Sequence, residues 1–166
     1  MTRAIIATEA GDIELDLFTE GAPKAAGNFV KLAKDGFYDD VIFHRVIPGF
    51  VIQGGDGEFG KKATFNAGRV GTGGPGYKFE DEPFPGDYQR GTVAMARTPA
   101  PDSVGSQFFI VLDDRAESSL ASANTYQIIG SVTSGMEVVD AIAQAAGGVE
   151  IPADPVVMTD VSVANP

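Results

Sequence analysis

The chain has 166 residues, 43% of them hydrophobic and 21% charged, a composition that folds and does not stay disordered. At this length one core buries about 70% of the unfolded surface, so residues 1–166 read as a single domain that needs no staple. The net charge of −11 argues against nucleic acid and anionic membrane as partners, while zero cysteines and 1 histidine exclude a disulfide framework, a thiolate nucleophile and a multi-histidine metal centre.

The N-terminal run Met1 to Glu9 meets a charge before any signal-peptide core can form. No stretch approaches the roughly 20 apolar residues that cross a bilayer, so the cytoplasm is the expected compartment. Ala4 to Thr8, a turn at Glu9 to Asp12, and Ile13 to Leu17 predict a hairpin. In its second strand Ile13, Leu15 and Leu17 share one face and Glu14 and Asp16 the other, the alternation of a half-buried strand. From Ala22 to Lys34 the apolar residues Ala25, Ala26, Phe29 and Leu32 recur at helical spacing. Pro23 fits the first turn of that helix and Gly36 its end.

Strands are then predicted at Val41–Ile47, Phe50–Gln53, Thr92–Ala96, Gln107–Leu112, Gln127–Val132 and Val156–Val163. A second helix spans Gly135–Ala145, with Ser134 and Glu137 as a capping box and Gly147-Gly148 as its stop. The hairpin and these six runs make eight strands, which with two helices in so short a chain suggest a closed antiparallel barrel with its open ends covered.

Two runs match G-x-G-x-x-G, Gly55–Gly60 and Gly71–Gly76. Neither opens a helix of a βαβ unit, so they read as turn glycines and not as a nucleotide site. His44, inside an apolar strand, reads first as a hydrogen-bonded structural residue, and no G-x-S-x-G is present to make it the base of a serine hydrolase. Arg45 shares a face with Phe43 and Ile47 and has no acid within three positions. It is either paired across the sheet or kept available for a ligand. Gln53 shares a face with Val51, and Gln107 shares one with Phe109, opposite Phe108, Ile110 and Leu112. An arginine, two amides and several aromatic rings suit binding a neutral polypeptide better than hydrolysing it.

The run Phe43-His44-Arg45-Val46-Ile47-Pro48-Gly49-Phe50-Val51-Ile52-Gln53-Gly54-Gly55-Asp56 closely resembles the signature of the cyclophilin-type peptidyl-prolyl isomerases. The likeness continues through Gly71-Thr72-Gly73-Gly74, Phe79-Glu80-Asp81-Glu82, Met95-Ala96-Arg97 and Gly105-Ser106-Gln107-Phe108-Phe109-Ile110. It implies an all-β fold, an eight-stranded antiparallel closed barrel capped by two α-helices, with substrate in a groove on the outside. It also implies an enzyme without cofactor or metal that accelerates rotation about X-Pro bonds in unfolded or flexible polypeptides and so assists folding. A proline-binding module without turnover, and a general chaperone, are the alternatives on the same fold.

Carried over by motif, Arg45 is the catalytic residue, donating to the prolyl nitrogen as amide resonance is lost. Gln53 would hold the substrate carbonyl, and Phe50 and Phe109 would form the proline pocket with Val51 in its wall. Ala96, Arg97 and Gln107 would border the peptide before the proline, with Leu120 and Tyr126 beside the pocket. His44 joins this binding set by orienting the strand, not by exchanging protons. The chain departs from the family at Val51, where methionine is common, at Ser118 to Asn124, where a tryptophan before the Leu120 position is missing, and at Tyr126, where histidine is common. These departures imply weak cyclosporin binding more than lost catalysis. The loop Pro99 to Asp102 also differs and bears on preference at the residue before proline. A monomer is expected.

Overall fold

The computed structural model describes residues 2–64, 66, 68–81, 87–98, 100, 102–123 and 126–164, with 122 and 123 as backbone alone. Glu82, Pro99, Pro101 and Asn124 of the motifs and loops above lie outside the described residues.

The predicted hairpin forms from β1 (Thr2–Thr8) and β2 (Gly11–Leu17), with a tighter turn than expected because Thr8 already pairs with Gly11. The Thr8 hydroxyl secures that turn, donating to the Gly11 carbonyl at 2.7 Å and accepting from the Ala10 N–H at 3.0 Å. As the alternation requires, Ile13, Leu15 and Leu17 are buried. Helix α1 (Pro23–Lys34) follows, with Pro23 in its first turn and Ala25, Ala26, Phe29, Leu32 and Ala33 buried. The Phe29 ring meets Phe108 edge-on at 5.3 Å and lies 5.1 Å from the Tyr38 ring, burial that contributes about 2–3 kcal/mol.

The run Val41–Ile47 is not one strand. It divides into β3 (Val41–Ile42) and β4 (Arg45–Ile47), separated by Phe43 and His44. Strands β5 (Val51–Gly54), β6 (Thr92–Met95), β7 (Phe108–Val111), β8 (Ile128–Ser134) and β9 (Val157–Ala164) complete an antiparallel sheet in the order β3-β9-β1-β2-β8-β6-β7-β5-β4. Its two ends are therefore successive pieces of the chain, with Ile42 and Arg45 no more than about 11 Å apart even if extended. The sheet must curl until its edges meet. The expected closed eight-stranded barrel is thus a curled nine-stranded sheet, joined between β3 and β4 by covalent chain and not by ladder hydrogen bonds.

Helix α1 packs on β8 and β9. A further helix, α2 (Glu117–Ala123), occupies what the sequence presents as a loop. Helix α3 (Met136–Ala145) packs on β2 and β5 and begins differently from the expectation. Its N-cap is Gly135 in the left-handed region, φ 93°, with no side-chain cap, so the Ser134–Glu137 capping box does not form. The backbone already turns at Gly135, one residue later than a Ser134 cap would need. Among the described residues no helix is long and apolar enough to cross a membrane.

Candidate active site

Successive residues of a strand face opposite sides of the sheet, and the two sides here bury separate apolar clusters. Ile52, Val93, Met95, Phe108 and Ile110 belong to the main core, while Val51, Ala94, Phe109 and Val111 join Tyr88, Ala116, Leu120 and Ile128 in a second cluster on the other face. That outer face carries the candidate site. Strand register lines up one row across it: Arg45 opposite Gln53, Gln53 opposite Phe109, Phe109 opposite Ala94, and Ala94 opposite Ile128. Directly opposed side chains lie about 5 Å apart, so the guanidinium, the amide and the ring rise side by side.

Beside this row is a cavity of about 180 Å3 lined by Arg45, Phe50, Val51, Gln53, Ala96, Arg97, Phe109, Leu120 and Tyr126. It is smaller than the roughly 300–1,000 Å3 of pockets for drug-sized ligands. Next to it, sharing Gln53, Ala96 and Arg97, runs an open groove of about 700 Å3 that also touches Gln107 and the glycine loop Gly71 to Gly76. The structure thus gathers nine of the sequence-predicted side chains around one notch and sets Gln107 in the adjoining groove. His44 lines neither cavity and is only 4% exposed.

Arg45 matches neither of the two alternatives left by its sequence context in full: it is paired, but not across the sheet, and it stays open to solvent. Its Nε donates to Glu150 Oε1 at 2.7 Å, yet its side chain keeps 43% exposure. The partner lies on the segment after α3 and not across the sheet. Arg97 differs: its side chain is 7% exposed, pairs with Asp81 at 2.9 Å and donates to the Ala100 carbonyl at 2.8 Å, so it is a braced wall.

The polar wall between the cavities is held from behind. Gln53 Nε2 donates to Gln107 Oε1 at 3.2 Å, and Gln107 Nε2 donates to the carbonyls of Gly71 and Gly73, both at 2.9 Å. Those glycines are fixed by Asp56, fully buried, whose Oδ2 accepts their N–H groups at 2.8 and 3.0 Å while Oδ1 accepts from Glu58 and Phe59. A buried carboxylate is tolerable only with such donors around it. A Cβ at position 73 would lie 2.4 Å from Asp56 Oδ1, so this approach requires glycine. The two glycine-rich runs therefore serve as turns around Asp56, as their sequence context suggests.

The apolar side is braced likewise. The Phe109 ring meets Tyr126 edge-on at 5.4 Å. The Tyr88 hydroxyl donates to the Tyr126 carbonyl at 2.6 Å, and burial pushes that phenol up to about 12. Glu117, first residue of α2, accepts the Tyr88 N–H, and α2 delivers Leu120, 4% exposed. Asp113 caps the 3-10 turn Asp114–Ala116 ahead of α2 by accepting the Arg115 N–H at 2.9 Å, and its contacts with Arg115 hold its carboxyl down at about 2.

Sequence reasoning missed three contributors: Asp56 in its hub role, Tyr88 and Glu150. Asp56 stands in the signature and was legible as a residue, though not as the anchor of a loop 15 positions away. Glu150 gives no signal, being 105 positions from Arg45 and outside every motif. Among the described residues no group of three or more His, Asp or Glu side chains converges as for a metal ion.

A curled antiparallel sheet with an arginine, two amides and an apolar notch on its outer face now has relatives to be set against. The family model described as "Cyclophilin type peptidyl-prolyl cis-trans isomerase/CLD" matches residues 3–163. A probable peptidyl-prolyl cis-trans isomerase of Brucella suis is 44% identical over 144 residues, 83% of this chain and 69% of that protein. Peptidyl-prolyl cis-trans isomerase B of Bacillus subtilis is 42% identical over 131 residues, 78% of this chain and 81% of its own. The crystal structure of a cyclophilin-type isomerase of Cryptosporidium parvum, determined in the presence of the dipeptide Ala-Pro, superposes with a TM-score of 0.82 at 32% identity, covering 99% of both chains. The chain belongs to the cyclophilin-type peptidyl-prolyl cis-trans isomerases.

Proposed function

We propose that this isomerase works at the outer notch, with Arg45 as its catalytic residue. The reaction is rotation about an X-Pro amide, opposed by a barrier of roughly 18–20 kcal/mol from amide resonance. A ten-thousandfold acceleration needs about 5.5 kcal/mol of that removed. No bond is made or broken, so the surface has only to fit the twisted amide better than either planar isomer. As the amide twists, the lone pair of the prolyl nitrogen localises and can accept a hydrogen bond. A guanidinium, permanently charged and donor-only, supplies one without proton transfer.

In this reading Phe50, Val51, Phe109 and Leu120 hold the pyrrolidine ring, with Tyr126 behind Phe109. Gln53 holds the carbonyl before the proline, and the preceding residues run along the groove past Ala96, Arg97 and Gln107. His44 acts from inside, orienting the strand. The observation that carries the assignment is the cross-strand row that sets Arg45, Gln53 and Phe109 side by side on the exposed face. The Cryptosporidium relative's structure with Ala-Pro supports a proline-containing polypeptide as substrate. The proposal takes residues 1–166 as one domain acting as a cytoplasmic monomer on unfolded or flexible chains. It includes weak cyclosporin binding, since the chain has no tryptophan for the pocket rim.

Exchange spectroscopy on a short Ala-Pro peptide tests the reading. Arg45→Ala should lose roughly 100- to 1,000-fold in catalysed exchange, the usual loss on removing one transition-state donor. Equal acceleration by variant and wild type would take Arg45 out of its role, and peptide binding without exchange in the wild type would favour a binding module.

A further inference from the structure

Arg45 is a long, rotamer-rich side chain on β4, an edge strand of the sheet, a poor place from which to aim a hydrogen bond. The segment after α3 supplies what the sheet does not. Gly147 and Gly148, φ 65° and 82°, turn the chain off the helix, and the Glu150 carbonyl then accepts the outward N–H of Val46 at 2.8 Å. A second bond, from the Phe43 N–H to the Val156 carbonyl at 3.0 Å, ties the far end of the same segment to the same stretch. Glu150 is therefore placed beside Arg45 by its own backbone carbonyl and by a second bond six residues further along, independently of its side chain. Its carboxylate takes the Nε–H of Arg45 at 2.7 Å. Of the five N–H donors of a guanidinium this uses one, and the two terminal nitrogens carry the other four.

We propose that Glu150 is a positioning residue for catalysis: it holds the Arg45 guanidinium by Nε and so presents the terminal nitrogens to the twisting amide. This rests on Arg45 being the catalytic residue. Two effects of the carboxylate oppose each other. It partly neutralises the charge that stabilises the prolyl lone pair, and it removes the rotational freedom that substrate would otherwise have to freeze. Both partners are half-exposed, at 43% and 58%, so solvent screens the first effect strongly. Ordering wins. The same exposure means that the pair does little for the stability of the fold.

The experiment compares wild type, Glu150→Ala, Glu150→Gln and Arg45→Ala on an Ala-Pro peptide, alongside NMR of the Arg45 Nε–Hε group. Glu150→Ala should lower kcat three- to tenfold with KM within twofold, at an unchanged thermal midpoint. Glu150→Gln, which keeps an acceptor oxygen, should restore part of the lost kcat. The Arg45 Hε signal should move upfield and exchange faster in Glu150→Ala while backbone amides away from residues 43–47 and 147–151 stay in place. Wild-type kcat in Glu150→Ala, or an unmoved Hε signal, overturns the role of Glu150. Full activity in Arg45→Ala instead overturns the catalytic assignment, and the positioning role falls with it.

Discussion

His44 and Arg45 are neighbours in sequence with opposite fates: one points into the molecule and the other out. The His44 pKa is lowered from 6.5 to about 4, chiefly by burial, with Asp56 pulling against the shift and Arg45 adding to it. Among the described residues its Nδ1 has no hydrogen-bond partner, so no hydrogen bond at that nitrogen offsets the cost of a buried proton. Above pH 6.5 the imidazole is neutral in folded and unfolded chains alike and adds no pH dependence. Between 6.5 and about 4 the unfolded chain takes up a proton that the folded chain excludes, so stability falls as pH falls. By pH 4.5 the loss from this one group is about 2 kcal/mol. Urea unfolding at pH 7 and 4.5 should show that decline in wild type and lack it in His44→Asn, whatever the variant's basal stability. Equal declines in both would place the pH dependence on the carboxylates instead.

At the scale of elements, the start of α3 separates a sequence pattern from the backbone that executes it. Ser134 and Glu137 have the spacing of a capping box, but the left-handed turn falls on Gly135. A Cβ there would stand 2.3 Å from the Asp12 carbonyl oxygen and 3.1 Å from the Ile13 Cα, both backbone atoms of β2. Gly135→Ala should therefore cost about 2–4 kcal/mol, from strain at positive φ and from the clash. Ser134→Ala should cost less than about 0.5 kcal/mol, as an exposed residue that caps nothing. Urea unfolding of the two variants decides it, and a costly Ser134→Ala would reinstate the capping box. The same lesson explains what else was and was not legible. The hairpin, α1 and the two-faced strand β7 could be read because periodicity encodes burial locally. The break at Phe43-His44 could not, since both halves are apolar and only the curl of the whole sheet sends them to opposite edges. Helix α2 is too short, and too rich in serine, to show a stripe. Seven of the nine notch residues were legible because they stand in the contiguous signature or in two shorter runs that resemble the family, whereas Glu150 reaches Arg45 through a tertiary bond.

Across the whole molecule the relevant quantity is the net charge of −11, which surrounds a site that contributes little cationic field of its own. Arg45 is matched by Glu150, Arg97 by Asp81, and in the groove Lys78 is offset by Glu58. An approaching polypeptide therefore meets a negative potential whose reach is the Debye length, roughly 30 Å at 0.01 M salt and 8 Å at 0.15 M. Under the proposed assignment, transition-state stabilisation acts over a few ångströms inside the notch and is indifferent to distant charge. Ala-Pro peptides flanked by lysines should accordingly show a severalfold lower KM than glutamate-flanked ones at low ionic strength, with the same kcat. The gap should close by 0.5 M salt. A preference that survives high salt would have to come from contacts within the groove, and a difference in kcat would mean that the flanking charges reach the guanidinium itself.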